Sequence, residues 1–462
     1  MNDTFRLGVV RGVSYGLFGP PGEFVPQARE LGAGLVRAYL YWSQLEPEPG
    51  RFTWDAADAL LTQLDGDTEA WLTVCSSSPW ATRQPATFLP PSPAKDPDDY
   101  ARFATALVEH CKGRIRYFQC DNEPSNAGLL WSGTAAEYVT QLRALHAAVH
   151  AADPQAQVVL GGCGYDVLSS PANSPARAFF DEVLDTGRDA FDVFDVHLYG
   201  QPSQVPDYVA QARDMMRRHG YERPVFAGEH AGPVLFEFPE LDPVVAEAFA
   251  SLPPDAADLV ELAGEDTPER RAMASLYARI DDLPPRLQML MQGCPGALSA
   301  KRDRIACRQL VMRTVQALAC GVTRTAYWNL APEVPGYSDR YQMMDLLFGR
   351  LPLLDYDAVG TLTRRNAAAS TFALLASELS GATAVSQRDG AYYVERPSRG
   401  PLWIAWAEAD TFDGEDADPV EQSLPWPSAT AAAIDAFGCP VPTQVHDGHV
   451  HVAASVTPVF IS

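Results

Sequence analysis

Lysine is almost absent from this 462-residue chain: Lys95, Lys112 and Lys301 are the only three, and arginine supplies the rest of the positive charge. We read that scarcity as genome composition and not as chemistry. Positive charge as a whole is also short, with 35 Lys and Arg against 59 Asp and Glu. So acidic a surface repels phosphate backbones and anionic headgroups, which argues against nucleic acid or membrane as partner and favours a neutral substrate. Long apolar runs are missing too, none approaching the ~18 residues that a membrane-spanning helix requires. The segment Met1-Asn2-Asp3-Thr4-Phe5-Arg6 shows no basic stretch followed by an apolar one and a cleavage site. A cytoplasmic location is therefore expected, with the Asn2-Asp3-Thr4 sequon idle. The eight cysteines (75, 111, 120, 163, 294, 307, 320 and 439) contain no Cys-x-x-Cys pair and no metal-ligand spacing. Reduced, mostly buried thiols are expected, with no metal and no cofactor.

What the chain does have is an alternation of short β-rich runs with longer helical ones, the pattern of a parallel sheet with crossover helices. Strands are expected near Leu7 to Ser14, Leu35 to Leu40, Ala70 to Cys75, Arg114 to Cys120, Gln157 to Gly162, Val193 to Leu198, Pro224 to Gly228 and Thr323 to Asn329. Between them lie helices such as Asp98 to Cys111, Thr134 to Ala151 and Pro206 to Gly220, the last stopped by its glycine. Eight such units fit an α/β fold, a (β/α)8 TIM barrel over 1–380. Two stretches break the beat. Residues from about 231 to 300 carry several helical pieces (Pro254 to Leu262, Thr267 to Ile280, Pro284 to Met291), read as an insertion beside the barrel mouth, either a lid or subsite wall or a peripheral decoration. After the last barrel helix, Ala367 to Ser380, short runs at Ala391 to Val394, Leu402 to Trp406, Ala431 to Ala436 and His449 to Ile461 suggest a C-terminal antiparallel β-sandwich over 381–462.

Two carboxylates end two of the buried runs. Asn122-Glu123-Pro124 closes the fourth, and Glu229 closes the seventh. A parallel barrel keeps its chemistry at the carboxyl ends of its strands, so these acids converge over the mouth although about a hundred residues separate them. Cleavage of a sugar acetal needs such a pair, one acid protonated to release the departing oxygen and one ionised to meet the anomeric carbon. Either glutamate could play either part on this argument alone. On the sixth run Asp195, His197 and Tyr199 share one parity and so one face, and buried polar groups in that number need partners. Arg37 interrupts the apolar second run and must be paired, with a catalytic carboxylate as the expected partner.

Together with Trp42-Ser43-Gln44-Leu45-Glu46-Pro47-Glu48-Pro49-Gly50-Arg51-Phe52-Thr53-Trp54 after the second run, these motifs resemble those of the clan A retaining glycoside hydrolases. The xylosidase-type, family 39-like members, in which a β-sandwich follows the barrel, are the most similar. The resemblance covers the chain except for the insertion. It implies a retaining mechanism on a carbohydrate, with Glu123 as acid/base and Glu229 as nucleophile. It also implies that Asn122 meets the 2-hydroxyl of the sugar, that Arg37 supports the nucleophile, that His197 and Tyr199 lie in the site and that Trp328 is an aromatic platform. Trp80 is a further subsite candidate. Glu46 and Glu48 are read as loop structure. Asp121 stands where many relatives carry an aromatic, and alternation would place it beside Glu123, where like-charge repulsion would hold a proton on the acid. Two other readings remain open: a non-catalytic carbohydrate-binding barrel, and a metal-dependent hydrolase built on His197, Glu229 and His230, although no His-x-His or His-Glu-x-x-His spacing is present. The oligomeric state is not legible.

Overall fold

The structure is a computed structural model that describes residues 5–250, 267–332, 339–357 and 360–462. Eight parallel strands form its centre: β1 (Arg6–Val10), β2 (Leu35–Tyr41), β3 (Glu69–Cys75), β4 (Tyr117–Cys120), β5 (Gln157–Val159), β6 (Phe194–Leu198), β7 (Val225–His230) and β8 (Arg324–Tyr327). Each coincides with an expected run. They pair in the order β5-β4-β3-β2-β1-β8-β7-β6, and bridges Val159 to Val193 and Cys163 to Val196 join the two ends. The amide of His197 donates to the carbonyl of Cys163 at 3.0 Å across that seam. The sheet is thus a closed barrel without an edge, and its base is filled by Leu35, Trp71, Tyr117, Val159, Val193 and Phe226.

The crossover helices form where expected, and their ends show why. Pro97–Cys111 starts on Asp96, whose side chain accepts the amide of Asp98. Ala135–Ala152 opens with a capping box in which Thr134 and Glu137 exchange side-chain and backbone bonds. Val205–Arg218 is followed by Gly220 at φ 81°, a left-handed stop that a side chain would oppose. Each buries a stripe at helical spacing; for Pro97–Cys111 it is Tyr100, Phe103, Ala104, Leu107, Val108 and Cys111.

After β7 the chain makes tight turns at Leu235–Glu237 and Pro239–Leu241, then helices Asp242–Ala250, Pro268–Ala278 and Pro285–Gln288. The helical piece expected at Pro254 to Leu262 lies outside the described residues. Leu241, Met273, Leu276, Leu287 and Met291 form a core of their own, which also takes in Ile305 and Phe412. The insertion is therefore anchored against the long helix Gly296–Ala319 and the C-terminal region. Arg286 reinforces this, pairing with Glu240 inside the insertion and with Asp410 and Asp413 outside it.

A hairpin of β9 (Leu354–Tyr356) and β10 (Leu362–Arg365) and a helix Ala367–Glu378 lead to eight further strands. These are β11 (Ala384–Arg388), β12 (Ala391–Glu395), β13 (Leu402–Ala405), β14 (Val420–Pro425), β15 (Ala433–Asp435), β16 (Thr443–His446), β17 (His449–Ala454) and β18 (Val459–Ile461). A five-stranded sheet, β11-β12-β13-β18-β15, faces a three-stranded one, β14-β17-β16, over Trp403, Leu424, Val450, Val452 and Ile461. This is the antiparallel sandwich expected, with β11, β14 and β16 added and the run His449 to Ile461 divided into two strands. No described helix is long and apolar enough to cross a membrane.

Candidate active site

The geometry at the end of β4 begins with the backbone. Asp121 and Glu123 both adopt left-handed conformations, at φ 51° and 40°, which cost a non-glycine residue roughly 1–2 kcal/mol each. The turn breaks strand alternation and sends neighbouring side chains to different places. Asn122 and Glu123 face the barrel axis. Asp121 turns back toward β3, where its Oδ1 accepts the Ser76 amide at 2.7 Å and its Oδ2 the Ser76 hydroxyl at 2.5 Å. Burial pushes the Asp121 carboxyl up to about 7, and those bonds only partly offset it. The expected like-charge neighbour of Glu123 is thus turned away onto Ser76, because alternation, expected to run on to Glu123, stops with β4 at Cys120.

A β-bulge delivers the second carboxylate. Along β6, Asp195 pairs with Phe226 and His197 with Glu229; along β8, Thr325 pairs with Ala227 and Tyr327 with His230. β7 therefore carries one extra residue around Gly228 relative to both neighbours. Phe226 points into the barrel base, so strict alternation would turn Glu229 outward; the bulge re-aims it inward. His230 is then turned out of the mouth, buried against the Tyr327 ring at 5.8 Å. Burial and the nearby Arg313 push its imidazole down to about 3, so it is neutral. It takes no part in a ligand set with Glu229.

Arg37 fixes Glu229. Its guanidinium is completely buried and donates to Glu229 Oε1 at 3.0 Å, the Gly228 carbonyl at 2.9 Å, Gln119 Oε1 at 2.6 Å, Asn122 Oδ1 at 2.8 Å and Thr73 Oγ1 at 3.1 Å. A rigid five-donor fork matches such a set, which lysine could not. Tyr39, two residues along the same strand face, brings its hydroxyl to 2.7 Å from Glu229 Oε1 and 3.1 Å from Asn122 Oδ1. Tyr199 donates to Glu229 Oε2 at 3.0 Å. With the Asn122 carbonyl oxygen occupied by Arg37 and Tyr39, its amide nitrogen is left for a ligand.

His197 links the two glutamates. Its Nδ1 lies 2.5 Å from Glu123 Oε1 and 3.3 Å from Glu229 Oε2, and its Nε2 lies 3.2 Å from Asp195 Oδ2. Asp195 is held in turn by the Gly228 amide at 2.6 Å and Gln119 Nε2 at 2.8 Å. Burial opposes a charge on His197, but Glu229, Asp195 and Glu123 together outweigh it and raise the imidazole to about 10. At neutral pH the ring is a cation that donates from both nitrogens. Glycines make room for it: a Cβ on Gly162 would lie 2.2 Å from His197 Nε2, and one on Gly164 would lie 2.9 Å from Glu123 Oε1. Ligand atoms of Glu123, His197 and Glu229 fall within 4.8 Å of one another, a spacing that could also hold a metal ion. A protonated imidazole has no lone pair to offer one, so the electrostatics of the trio favour the proton.

Trp328, at the end of β8, packs edge-on against Tyr39 at 6.5 Å and Phe348 at 6.0 Å. Its buried indole nitrogen has no hydrogen-bond partner among the described residues. Phe236, from the first turn of the insertion, and Phe348 flank Tyr199 at 6.2 and 5.5 Å, and Phe236 stacks on Tyr165 at 4.9 Å. The insertion thus contributes a wall beside the carboxylates. Trp80 belongs to another set of contacts: its ring meets Trp42 at 5.7 Å and its nitrogen donates to the Glu46 carbonyl. Glu46 is loop structure as expected, accepting from Trp42, Gly50 and Arg102. Cys75, Cys120 and Cys163 are buried, and burial drives their thiols well up, away from the reactive thiolate. Sequence reasoning missed Tyr39 and Gln119, whose signal was shared parity with Arg37 and with the strand end, and the aromatic pair Phe236 and Phe348, which had none.

No family model matches the chain, and no curated protein matches it. Solved structures do. A family 39 glycoside hydrolase from the gut symbiont Bacteroides cellulosilyticus WH2 superposes with a TM-score of 0.62 at 13% identity, covering 100% of this chain and 81% of that one. A monomeric β-xylosidase from Caulobacter crescentus CB15 gives 0.61 at 13% identity, over 100% and 96%. A glucosidase from Croceicoccus marinus gives 0.59 at 13% identity, again over 100% and 96%. From the first strand of the barrel to the last of the sandwich, this chain has the fold of the family 39 glycoside hydrolases.

Proposed function

We propose that the protein is a retaining glycoside hydrolase that cleaves a β-linked sugar through a covalent glycosyl-enzyme. The observation that carries this reading is the spacing of the two glutamates. One carboxylate oxygen of each lies within 4.8 Å of the other, beside His197. So close an approach favours the short separation of a double displacement, about 5–5.5 Å between carboxyls, over the about 6.5–9.5 Å of an inverting pair.

The hydrogen bonds support one division of the roles that the sequence left open. Glu229 accepts from Arg37, Tyr39 and Tyr199 and lies beside the His197 cation, an environment that stabilises an ionised nucleophile. Among the described residues Glu123 hydrogen-bonds only to His197, and its side chain keeps some exposure to solvent. Three carboxylates (Glu123, Asp195, Glu229) surround two cations (Arg37, His197), so one further proton neutralises the group. Glu123 is where that proton can reach a leaving group. Glu229 then attacks the anomeric carbon as Glu123 protonates the departing oxygen. In the second half Glu123 takes a proton from water, which displaces Glu229 and releases the sugar with its configuration retained. Asn122 offers its amide to the 2-hydroxyl, a bond that strengthens toward the oxocarbenium-like transition state. Trp328 supplies an apolar face for the ring.

We take residues 1–380 as the catalytic unit, with the insertion walling its mouth, and 381–462 as a sandwich packed against it. Xylosidases and glucosidases share the fold, so neutral β-glycosides lead the choice of substrate. A panel of aryl β-glycosides and α-L-arabinofuranosides, with the first product followed by NMR, tests the reading. Turnover with retained configuration is expected; an inverted product, or turnover abolished by chelator, would overturn it.

A further inference from the structure

A second cluster of ligand-type side chains lies on the opposite end of the barrel. His146 and His150 stand one turn apart on helix Ala135–Ala152, so both project from one face, with ring centroids 4.2 Å apart. Asp192 meets them from the segment that enters β6. Its Oδ2 lies 3.1 Å from His150 Nε2 and accepts the Val158 amide at 2.8 Å. One ligand atom from each of the three falls within 4.8 Å of the others.

From this convergence we infer that His146, His150 and Asp192 form a site for a divalent transition metal of the zinc, cobalt or nickel class. Two features separate it from an ordinary ion pair. His146 has no hydrogen-bond partner among the described residues, although it is half-buried, so a lone pair is free in the direction of its two neighbours. The Val158 amide fixes the Asp192 carboxylate and leaves Oδ1 for an ion, the outer-sphere support such ligands commonly have. Two imidazoles and a carboxylate suit borderline metals at about 2.0–2.2 Å, with a fourth position for water.

The ion would join the helix to β5, through Val158, and to β6, through Asp192. These contacts lie at the amino ends of the strands, away from the glutamates, so the site braces the barrel base and does not enter the chemistry. The test uses the full chain, stripped with chelator and titrated with Co²⁺ for the ligand-field spectrum and with Zn²⁺ for thermal melting. One ion per chain with an imidazole-bound spectrum, and a melting temperature raised by Zn²⁺, are expected. His146→Ala removes no hydrogen bond and so leaves the metal-free protein folded; it should weaken binding by about tenfold or more and abolish the thermal shift. Glycosidase turnover should be the same with and without metal. Absence of binding would overturn the inference. So would unchanged binding in His146→Ala, which would move the ion to another cluster such as His446 and His451, whose rings stack at 3.9 Å. Inhibition of turnover by the ion would move it to Glu123, His197 and Glu229.

Discussion

The proton on His197 has a measurable consequence for stability. The imidazole is raised from 6.5 to about 10 in the folded protein because three carboxylates face it across a buried site. A raised pKa contributes stability that is complete below the unfolded value and is lost as pH rises through the folded one. Between pH 7 and 9 the folded chain therefore keeps a proton that the unfolded chain has largely released. At about 1.36 kcal/mol per proton per pH unit, His197 alone should lower the unfolding free energy by roughly 2–3 kcal/mol across those two units. Asp121 and Glu237, each pushed up to about 7 by burial, also titrate near this range, but both remain in a His197→Gln variant and cancel in the comparison. The assay is urea unfolding of wild type and His197→Gln at pH 7 and 9, with ¹⁵N spectra of labelled histidine read alongside. The wild type should lose more stability than the variant over the interval, and both ring nitrogens should carry protons at pH 8. Parallel pH dependences, or a ring with one bare nitrogen at pH 8, would refute the electrostatic account of the site.

Other expectations follow from the same contacts. Glu123→Ala and Glu229→Ala should each cut kcat by orders of magnitude, and full activity in either would defeat the role assignment. Arg37→Met leaves the Glu229 carboxylate, Gln119 and Asn122 without their shared donor in a buried place, so unfolding should be easier by about 3–5 kcal/mol in denaturant. Tyr199→Phe removes one charge-assisted bond to Glu229, worth about 1.5–3 kcal/mol, and steady-state kinetics should show kcat falling about tenfold or more. Asp121→Asn should leave the pH limits of activity unshifted, because that carboxylate is turned onto Ser76 and not toward Glu123.

Much of this architecture was legible because buried parallel strands must be continuous apolar runs, and no other feature of the chain imitates eight of them. Glu123 and Glu229 could be placed at the barrel mouth for the same reason, and Arg37 could be paired with a carboxylate because a buried guanidinium has few alternatives. Orientation was harder. Glu229 faces inward only through the extra residue at Gly228, and Asp121 faces away only through left-handed backbone at 121 and 123; neither bulge nor φ reversal leaves a mark in residue type. Tyr39 and Gln119 read as ordinary strand residues until their partners arrive from other strands. In the sandwich, β14 and β16 were missed because they expose most of their side chains and lack an apolar run. The wall built from Phe236 and Phe348 depends on tertiary contact alone. His146 and His150 did carry a signal, an i,i+4 spacing on a strongly capped helix.

The central claim is that Glu229 attacks carbon while Glu123 handles the proton. A slow 2-deoxy-2-fluoro-glycoside of the sugar that the enzyme turns over, trapped on the protein and located by mass spectrometry of its peptides, tests it most directly. The account predicts one sugar esterified to Glu229 and a Glu123→Ala protein that is still labelled by an activated aryl glycoside. A label on any other residue, or turnover without a trappable ester, would contradict it.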